Sequence, residues 1–236
     1  MNLLAIDTAT DQLGVALVDE TRVLASYEVL AERIHAIELP QAVTRVLQAA
    51  HLTLPQVDAI AVDIGPGAFT GLRIGAAFVK ALAFTAKKPV IGVPSLDVLA
   101  AGVPCAQSLV CPMLDAKQRK VYAARYRTTN GALRKQSDYE LLSVDELLPT
   151  FGQEEVIVLG NGAALYRDRL QQVLGNRVMF ADPALGLPNA AVLGRLGLER
   201  LNAGQRDDPS TLVPMYLHPR HCTIRPELLQ NIQRAA

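Results

Sequence analysis

The order of the apolar segments constrains the fold most, because the same order occurs twice along the chain. Short runs of apolar or alternating residues predict strands, and apolar side chains at every third or fourth position predict helices. In the first hundred residues the predicted elements are strands at 3–6, 14–18 and 23–30, a helix at 34–51, a strand at 58–64, a helix at 70–87 and a strand at 89–93. The order is therefore βββαβαβ, and the tight connections between the first three strands indicate an antiparallel meander.

The second half repeats this order more weakly. Its predicted elements are strands at 109–114, 121–126 and 137–142, a short helix at 144–148, a strand at 156–159, a helix at 163–174, a strand at 177–180 and a helix at 190–202. Two copies of βββαβα indicate an internal duplication and two lobes. The boundary is expected near 102–108, where Gly, Pro and Ser cluster, which predicts lobes at 1–105 and 106–236.

The duplicated order predicts an α/β protein with the arrangement of actin-like ATPase domains. In that fold two ribonuclease-H-like lobes face each other, and a nucleotide lies in the cleft between them. This analogy concerns the fold alone and does not establish an activity.

The composition excludes two classes of protein. Basic and acidic side chains balance at 23 each, and half of the 236 residues are hydrophobic, which excludes a disordered chain. The same balance excludes a protein that binds nucleic acid by its overall field alone. The charge is unequal between the predicted lobes, because residues 1–105 hold 7 basic and 10 acidic side chains, and residues 106–236 hold 16 and 13. A mildly basic second lobe leaves room for RNA contact within a complex.

Cysteine usage and the apolar segments predict a cytoplasmic protein that spans no membrane. Three cysteines without a CxxC motif argue against a disulfide framework and against a thiolate zinc site. Residues 1–7 lack the basic stretch of a signal peptide, and no apolar run reaches the roughly 18 residues of a membrane span. His218, His221 and Cys222 could hold a metal, but we predict none, because structural zinc takes four ligands.

A polar turn follows the first predicted strand. Asp7 ends the strand, and Thr8 and Thr10 follow it. Such a turn could hold a metal-bound phosphate, because a carboxylate binds the ion through water while hydroxyl and N–H groups bind phosphate oxygens. The alternative is that these residues only satisfy the turn, in which Asp and Thr are common.

A glycine-rich segment at 65–75, which reads GPGAFTGLRIG, joins a predicted strand to a predicted helix. Its four glycines indicate a backbone that turns sharply and lets another group approach closely. The helix N-terminus behind it is suited to an anion, so Gly67 is a further candidate for nucleotide contact, and Thr70 is placed to cap the helix. The segment matches neither the Walker pattern nor GxGxxG, and a plain turn with glycine at positive φ is the alternative.

The helix after this segment is apolar nearly all round. Residues 72–86 contain only Arg73 and Lys80 as charged side chains, so the helix is expected to be covered on both sides. One side covers the sheet, and the small residues Ala76, Ala77 and Ala81 would permit close approach of a second helix. The alternatives for the other side are a protein interface and a crowded core of the single chain.

The counterpart of the first polar turn in the second lobe carries different side chains. Actin-like ATPases usually have Asp followed by glycines at this point, whereas Asp115 is followed by AKQRK. These side chains crowd the site and argue against ATP hydrolysis. Residues 117–127 hold five basic residues and no acid, so Lys117, Arg119 and Lys120 are candidates for RNA contact, with a charged strand edge as the alternative.

Several segments together resemble the bacterial TsaB (YeaZ) family. The eleven residues at 65–75 are the most specific of them. The other segments cover nearly the whole chain and are IDTAT at 6–10, GVAL at 14–17, His35 and Pro40 on the first helix, DAK at 115–117 with VY at 121–122, LGNGA at 159–163 and PMYL at 214–217. One departure is His218, where the family commonly has Arg.

The resemblance implies an actin-like fold without catalysis of its own. TsaB is the shorter paralogue of TsaD, which acts with TsaB and the ATPase TsaE to transfer a threonylcarbamoyl group to N6 of the tRNA adenosine beside the anticodon. TsaD binds its metal partly through a His-x3-His pair, and the matching positions here are Ser95 and Leu99, neither of which replaces an imidazole. In the family, the first two helices form a bundle with TsaD, or with a second TsaB when TsaD is absent.

The resemblance therefore implies a non-catalytic scaffold subunit that binds TsaD and TsaE, needs no cofactor and meets tRNA only through the complex. Its predicted partner interface consists of His35, Leu39, Arg73, Ala76, Ala77, Lys80, Ala81 and Phe84. The main alternative is an actin-like ATPase or kinase that binds nucleotide through Asp7, Thr8, Thr10, Gly67 and Asp115, and weak nucleotide binding stays open. An endopeptidase is a remote alternative, because no nucleophile–base pair supports it.

Overall fold

The computed structural model describes residues 1–30, 34–103 and 108–217. The first half contains β1 (Leu3–Asp7), β2 (Gln12–Val18), β3 (Val23–Leu30), α1 (His35–Ala49), β4 (Ala59–Asp63), α2 (Phe69–Ala86), β5 (Val90–Val93) and α3 (Ser95–Ala101). The second half contains β6 (Leu109–Asp115), β7 (Lys120–Ala123), β8 (Tyr126–Thr129), β9 (Ala132–Lys135), β10 (Glu140–Ser143), α4 (Val144–Leu147), β11 (Val156–Leu159), α5 (Asn161–Leu165), α6 (Arg167–Leu174), β12 (Val178–Phe180) and α7 (Ala190–Asn202).

Each half forms one sheet, and the two sheets have the same strand order. In the first sheet the order is β3-β2-β1-β4-β5, with β1 antiparallel to β2 and parallel to β4. In the second sheet the order is β10-β7-β6-β11-β12, with β6 antiparallel to β7 and parallel to β11. A hairpin of β8 and β9 is added beside β6. The repeated topology confirms the predicted α/β, actin-like fold of two ribonuclease-H-like lobes.

Helices cover both faces of the first sheet, because its strands are apolar on both sides. Leu4 of β1 lies in a core with Leu39 of α1 and Val79 of α2. The next side chain along the strand points the other way, and Leu3 packs with Leu193 of α7. α1 and α2 therefore lie on one face of the sheet, and their outer sides point in the same direction.

Two helices cross between the halves of the chain. α3 belongs to the first half, but its Leu96 and Leu99 pack with Val110 of the second sheet. α7 belongs to the second half, but it packs on the first sheet, opposite α1 and α2. The crossing joins the two sheets into one molecule. The division into domains at 1–105 and 106–236 stays a prediction.

A half-buried polar cluster fixes the crossing helices to each other. Arg200 of α7 forms an ion pair with Asp97 of α3 at 3.0 Å. The hydroxyl groups of Tyr126 and Tyr139 donate to the other Asp97 oxygen at 2.7 and 2.8 Å. Burial, with the Asp97 charge next to it, raises the pKa of both tyrosines, so both stay protonated hydrogen-bond donors.

Several local predictions were wrong. The helix predicted at 163–174 is two helices, α5 and α6, which meet at Tyr166. The strand predicted at 121–126 breaks after Ala123, and neither α3 nor β9 was predicted, because four to seven residues are too few to show a clear period. Thr70 does not cap α2: Ala68 is the N-cap residue and makes no side-chain cap hydrogen bond, so Thr70 lies within the first turn.

Among the described residues, α2 is the one helix that is long and apolar enough to cross a membrane by length and composition alone. Its inner residues Val79 and Ala83 pack in the core of the first lobe. The core helix of a soluble protein has the same composition.

Candidate functional site

The turn after β1 is closed by hydrogen bonds within the chain. Asp7 is fully buried, and its Oδ1 accepts a hydrogen bond from the Ala9 N–H at 2.8 Å. The Thr8 hydroxyl donates to the Gly71 carbonyl at 2.8 Å. The Thr10 hydroxyl accepts from the Gln12 N–H at 3.2 Å. Two donors that a phosphate could have used, the Ala9 N–H and the Thr8 hydroxyl, therefore already have partners in the protein.

The glycine segment packs directly on this turn. A Cβ atom built on Gly67 would fall well inside 3.0 Å of the Ala9 carbonyl oxygen, a separation that real Cβ atoms essentially never show. One built on Gly71 would meet the Thr8 carbonyl oxygen equally closely, and one on Gly75 would meet the Thr8 hydroxyl. The Ala68 N–H also donates to the Ala9 carbonyl at 2.7 Å. The group that approaches these glycines so closely is therefore the Thr8–Ala9 segment of the same chain, through its backbone at Gly67 and Gly71 and through the Thr8 side chain at Gly75.

A second buried carboxyl group, Asp63, joins Asp7 at the ends of the neighbouring parallel strands β1 and β4. Its Oδ1 accepts from the Gly65 N–H at 2.7 Å and from the Ser95 hydroxyl at 2.6 Å. Burial raises the pKa of Asp63 to about 7, and it also raises the pKa of Asp7 well above its usual range. The sequence interpretation missed Asp63, although a carboxylate at the end of a predicted parallel strand was a usable signal.

The positions that the resemblance equates with the metal-binding histidines of TsaD are both buried. The Ser95 hydroxyl donates a hydrogen bond to Asp63, and Leu99 packs in the core between α3 and the second sheet. Within residues 1–30, 34–103 and 108–217, no group of three or more His, Cys, Asp or Glu side chains could hold a metal ion. His218, His221 and Cys222 lie outside the described residues.

The turn after β6 repeats the geometry of the turn after β1. Asp115 Oδ1 accepts from the Lys117 N–H at 2.8 Å, as Asp7 accepts from Ala9. Lys117, Gln118 and Arg119 then have φ angles of 62°, 49° and 60°, in the left-handed region that favours glycine. The backbone of this turn thus has a conformation suited to glycine, although the three residues that adopt it carry long side chains.

Basic residues near this turn differ in how far they are already paired. Arg125 forms an ion pair with Glu140, and Arg127 forms one with Glu154. Lys117 lies 2.8 Å from Asp115 but keeps an exposed side chain. For Arg119 and Lys120 the described part of the chain provides no ion pair. The three predicted RNA-contact residues are therefore together at one surface turn, and contact with RNA stays a prediction.

The outer side of α2 is an exposed stripe, which we call the α2 stripe, formed by Phe69, Arg73, Ala77, Ala81 and Phe84. Phe84 is 85% exposed and Phe69 is 54% exposed. Steps of three or four residues place all five on one side of the helix. Lys80 borders the stripe and is half-buried, with its Nζ 3.4 Å from the Ser210 carbonyl oxygen.

The first helix contributes exposed apolar residues beside the α2 stripe. Ile37 is 69% exposed and Ile34 is 43% exposed, and sequence reasoning did not single out either residue. His35, Leu39 and Ala76 were predicted to contact a partner, and the structure buries all three within the chain itself. Of the predicted interface residues, those of the α2 stripe are accessible, and the interface stays a prediction.

A separate cleft of about 240 Å³ lies at the carboxyl ends of β11 and β12. Leu159, Asn161 and Ala163 line one side of it. The Arg167 guanidinium stacks 3.9 Å from the centre of the Phe180 ring on the other side. None of the predicted nucleotide-binding residues lines this cleft, so nucleotide binding by those residues also stays a prediction.

Comparisons with known proteins extend over nearly the whole chain. The family model "TsaD: tRNA N6-adenosine threonylcarbamoyltransferase" matches residues 28–224. Two relatives described as "tRNA threonylcarbamoyladenosine biosynthesis protein TsaB" are each 32% identical over 92% of this chain and 94% of their own length, one from Bacillus subtilis and one from Escherichia coli. The solved structure "YeaZ from Pseudomonas aeruginosa" is 32% identical, covers 92% of this chain and 99% of its own, and superposes with a TM-score of 0.81. The chain therefore belongs to the TsaB (YeaZ) family.

Proposed function

We propose that this chain is a non-catalytic scaffold subunit in tRNA threonylcarbamoyladenosine biosynthesis. It binds a TsaD-type transferase, with TsaE, for threonylcarbamoyl transfer to N6 of the adenosine adjacent to the anticodon. The observation that carries the proposal is the α2 stripe, an exposed and largely apolar helix side in a chain whose family is tied to that pathway by its relatives.

The α2 stripe has the composition of a protein interface. Two exposed phenylalanines and an arginine are residue types enriched at interface centres. Ala77 and Ala81 lie between them, and because their side chains are short, a partner helix can approach the α2 backbone closely. Ile37 of α1 widens the apolar surface, and large exposed apolar surfaces on soluble proteins mark sites of association.

The buried turns support a role without catalysis. The glycine segment occupies the space beside Thr8 and Ala9, and Ser95 and Leu99 stand where the resemblance places the metal-binding histidines. Three long side chains on the left-handed turn after Asp115 take the place that glycines have in actin-like ATPases. The chain therefore contributes a surface to the complex, and its partner contributes the chemistry.

Size-exclusion chromatography with light scattering tests this proposal. The chain alone is expected to form a homodimer, since the apolar helix sides are then free to pair with each other. On addition of the TsaD-type protein, the expected product has the mass of a complex with one copy of each chain or of its dimer. Separate elution of the two folded proteins at micromolar concentration would contradict the proposal.

The turn after Asp115 is proposed to contact tRNA within the complex. Arg119 is exposed and is the side chain for which we expect a direct phosphate contact. Arg119→Glu should weaken tRNA binding by the assembled complex and reduce the salt slope of log K by about one. Arg22→Glu is the matched control. Arg22 is 75% exposed and lies in the turn between β2 and β3, at the end of the first sheet where β1 begins. Equal salt slopes for the two variants would remove this contact from the proposal.

A further inference from the structure

Asp7 and Asp63 bring two carboxyl groups together in a place that water does not reach. Asp7 is 0% exposed and Asp63 is 1% exposed. Each has one oxygen, Oδ2, that is buried without a hydrogen-bond partner among the described residues. The two residues follow directly on the paired residues Ile6 and Val62 of the neighbouring parallel strands β1 and β4, so their carboxyl groups lie side by side and interact. Two ionised carboxylates cannot stay in such a place without a positive group between them.

In the part of the chain that the structure describes, the charged neighbours of the pair are two acids. Glu28 of β3 faces Asp7, and its Oε1 accepts a hydrogen bond from the Asn189 amide at 2.6 Å. Asp97 of α3 faces Asp63 and is itself paired with Arg200. Both neighbours are acids, and their fields favour the neutral form of the pair.

A proton fits the site better than a divalent cation does. Mg²⁺ that is bound by one or two carboxylates keeps several waters in its octahedral shell. Asp7 and Asp63 are at most 1% exposed, so this buried pair does not admit those waters. A proton needs no space, because it lies in the hydrogen bond itself. Asp63 already accepts hydrogen bonds from Gly65 and Ser95, whereas Asp7 accepts one, from Ala9. Asp63 is therefore the better anion, and Asp7 the better donor.

We propose that Asp7 and Asp63 form a proton-binding site, in which Asp7 donates a shared proton to Asp63 and so ties the end of β1 to the start of the glycine segment. Asp63 contacts the Gly65 N–H, and the glycine segment leads into α2. The shared proton thus holds the Thr8–Ala9 turn against the base of that helix. The proposal does not depend on partner binding.

The sign of the pH dependence follows from the raised pKa values. An unfolded Asp ionises near pH 4, whereas burial raises the pKa of Asp63 to about 7 and raises that of Asp7 well above its usual range, so the folded pair stays protonated to higher pH. The stabilisation is complete below pH 4 and is lost progressively as the pH rises through the folded pKa values. At alkaline pH the pair is left as two buried charges.

Thermal unfolding of Asp7→Asn tests the proposal, because the amide keeps a donor toward Asp63 at every pH. We expect its Tm to exceed that of the unsubstituted protein by about 5 °C at pH 8 and by much less at pH 5. Asp63→Asn should show the same trend and serves as the second variant if Asp7→Asn does not fold. Asp115→Asn is the control, since Asp115 has the same position in the second lobe but has Lys117 at 2.8 Å. The Tm of Asp115→Asn should not exceed that of the unsubstituted protein at pH 8.

A Tm gap that stays constant between pH 5 and pH 8 for both variants would overturn the proposal. A second measurement distinguishes binding of a proton by the pair from binding of a divalent cation. If millimolar MgCl2 or MnCl2 raised the Tm of the unsubstituted protein at pH 8, and left that of Asp63→Asn unchanged, the pair would bind a cation instead. The expected result is no divalent-ion effect, together with a protonated-carboxyl band in the infrared spectrum that disappears in Asp7→Asn.

Discussion

Ala81→Glu is expected to abolish binding of the TsaD-type partner and to leave the isolated chain folded. Ala81 lies on the α2 stripe one turn before Phe84, which is 85% exposed. In the free chain the new carboxylate points into water and costs little. In the complex it would be buried without a partner, which costs about 4 kcal/mol or more, roughly a thousandfold in Kd.

The measurement is the Kd for the TsaD-type partner by isothermal titration calorimetry, with circular dichroism to establish that the variant is folded. Ala77→Glu should behave in the same way. Ala164→Glu is the matched control, because Ala164 is exposed on a helix of the second lobe, and it should bind normally. A folded Ala81→Glu variant with an unchanged Kd would remove the α2 stripe from the proposed interface.

Gly75→Ala is expected to destabilise the protein, whereas replacing glycine by alanine inside a helix usually has a stabilising effect. Glycine to alanine inside a helix normally stabilises by about 1 kcal/mol. Here the new methyl group would overlap the Thr8 hydroxyl, which cannot move without losing its hydrogen bond to Gly71. We expect a loss of about 2 kcal/mol or more in the free energy of unfolding.

A double-mutant cycle isolates the cause of this loss. Thr8→Ala removes the hydroxyl that Gly75→Ala would overlap, so Gly75→Ala should cost much less in that background. Gly71→Ala overlaps the Thr8 carbonyl oxygen, which Thr8→Ala leaves in place, so its cost should be the same in both backgrounds. Urea unfolding of the six proteins gives these differences. Equal costs of Gly75→Ala with and without the Thr8 hydroxyl would contradict the packing described here.

Much of the fold could be predicted from the sequence, because helices and strands are encoded by local periodicity. The βββαβα order, the duplication and the limits of α7 all followed from patterns a few residues long. The crossing of α3 and α7 did not follow from such patterns. Which sheet a helix covers depends on the path of the chain between elements, and α3 has seven residues, all apolar or small except for Asp97.

The candidate site was predictable only in part, because local spacing does not show how a helix lies on a sheet. The side chains of α2 could be placed on one helix from their spacing, but which of them faced outward depended on how the helix lay on the sheet. Ala76 and Ala77 are neighbours of equal size, and only the second is exposed. His35 and Leu39 lie on the inner side of α1, whereas Ile37 lies on its outer side.

By itself, the sequence determined the duplicated α/β architecture, the family and the existence of two turns that each begin at an aspartate. Only the tertiary structure decided that Asp63, 56 positions after Asp7, meets it at the carboxyl ends of two central strands, and that the glycines accommodate the Thr8–Ala9 segment. Local pattern is a property of neighbouring residues, and a single sequence contains it directly. Contacts between distant residues depend on strand order, and strand order is settled by the packing of the whole chain.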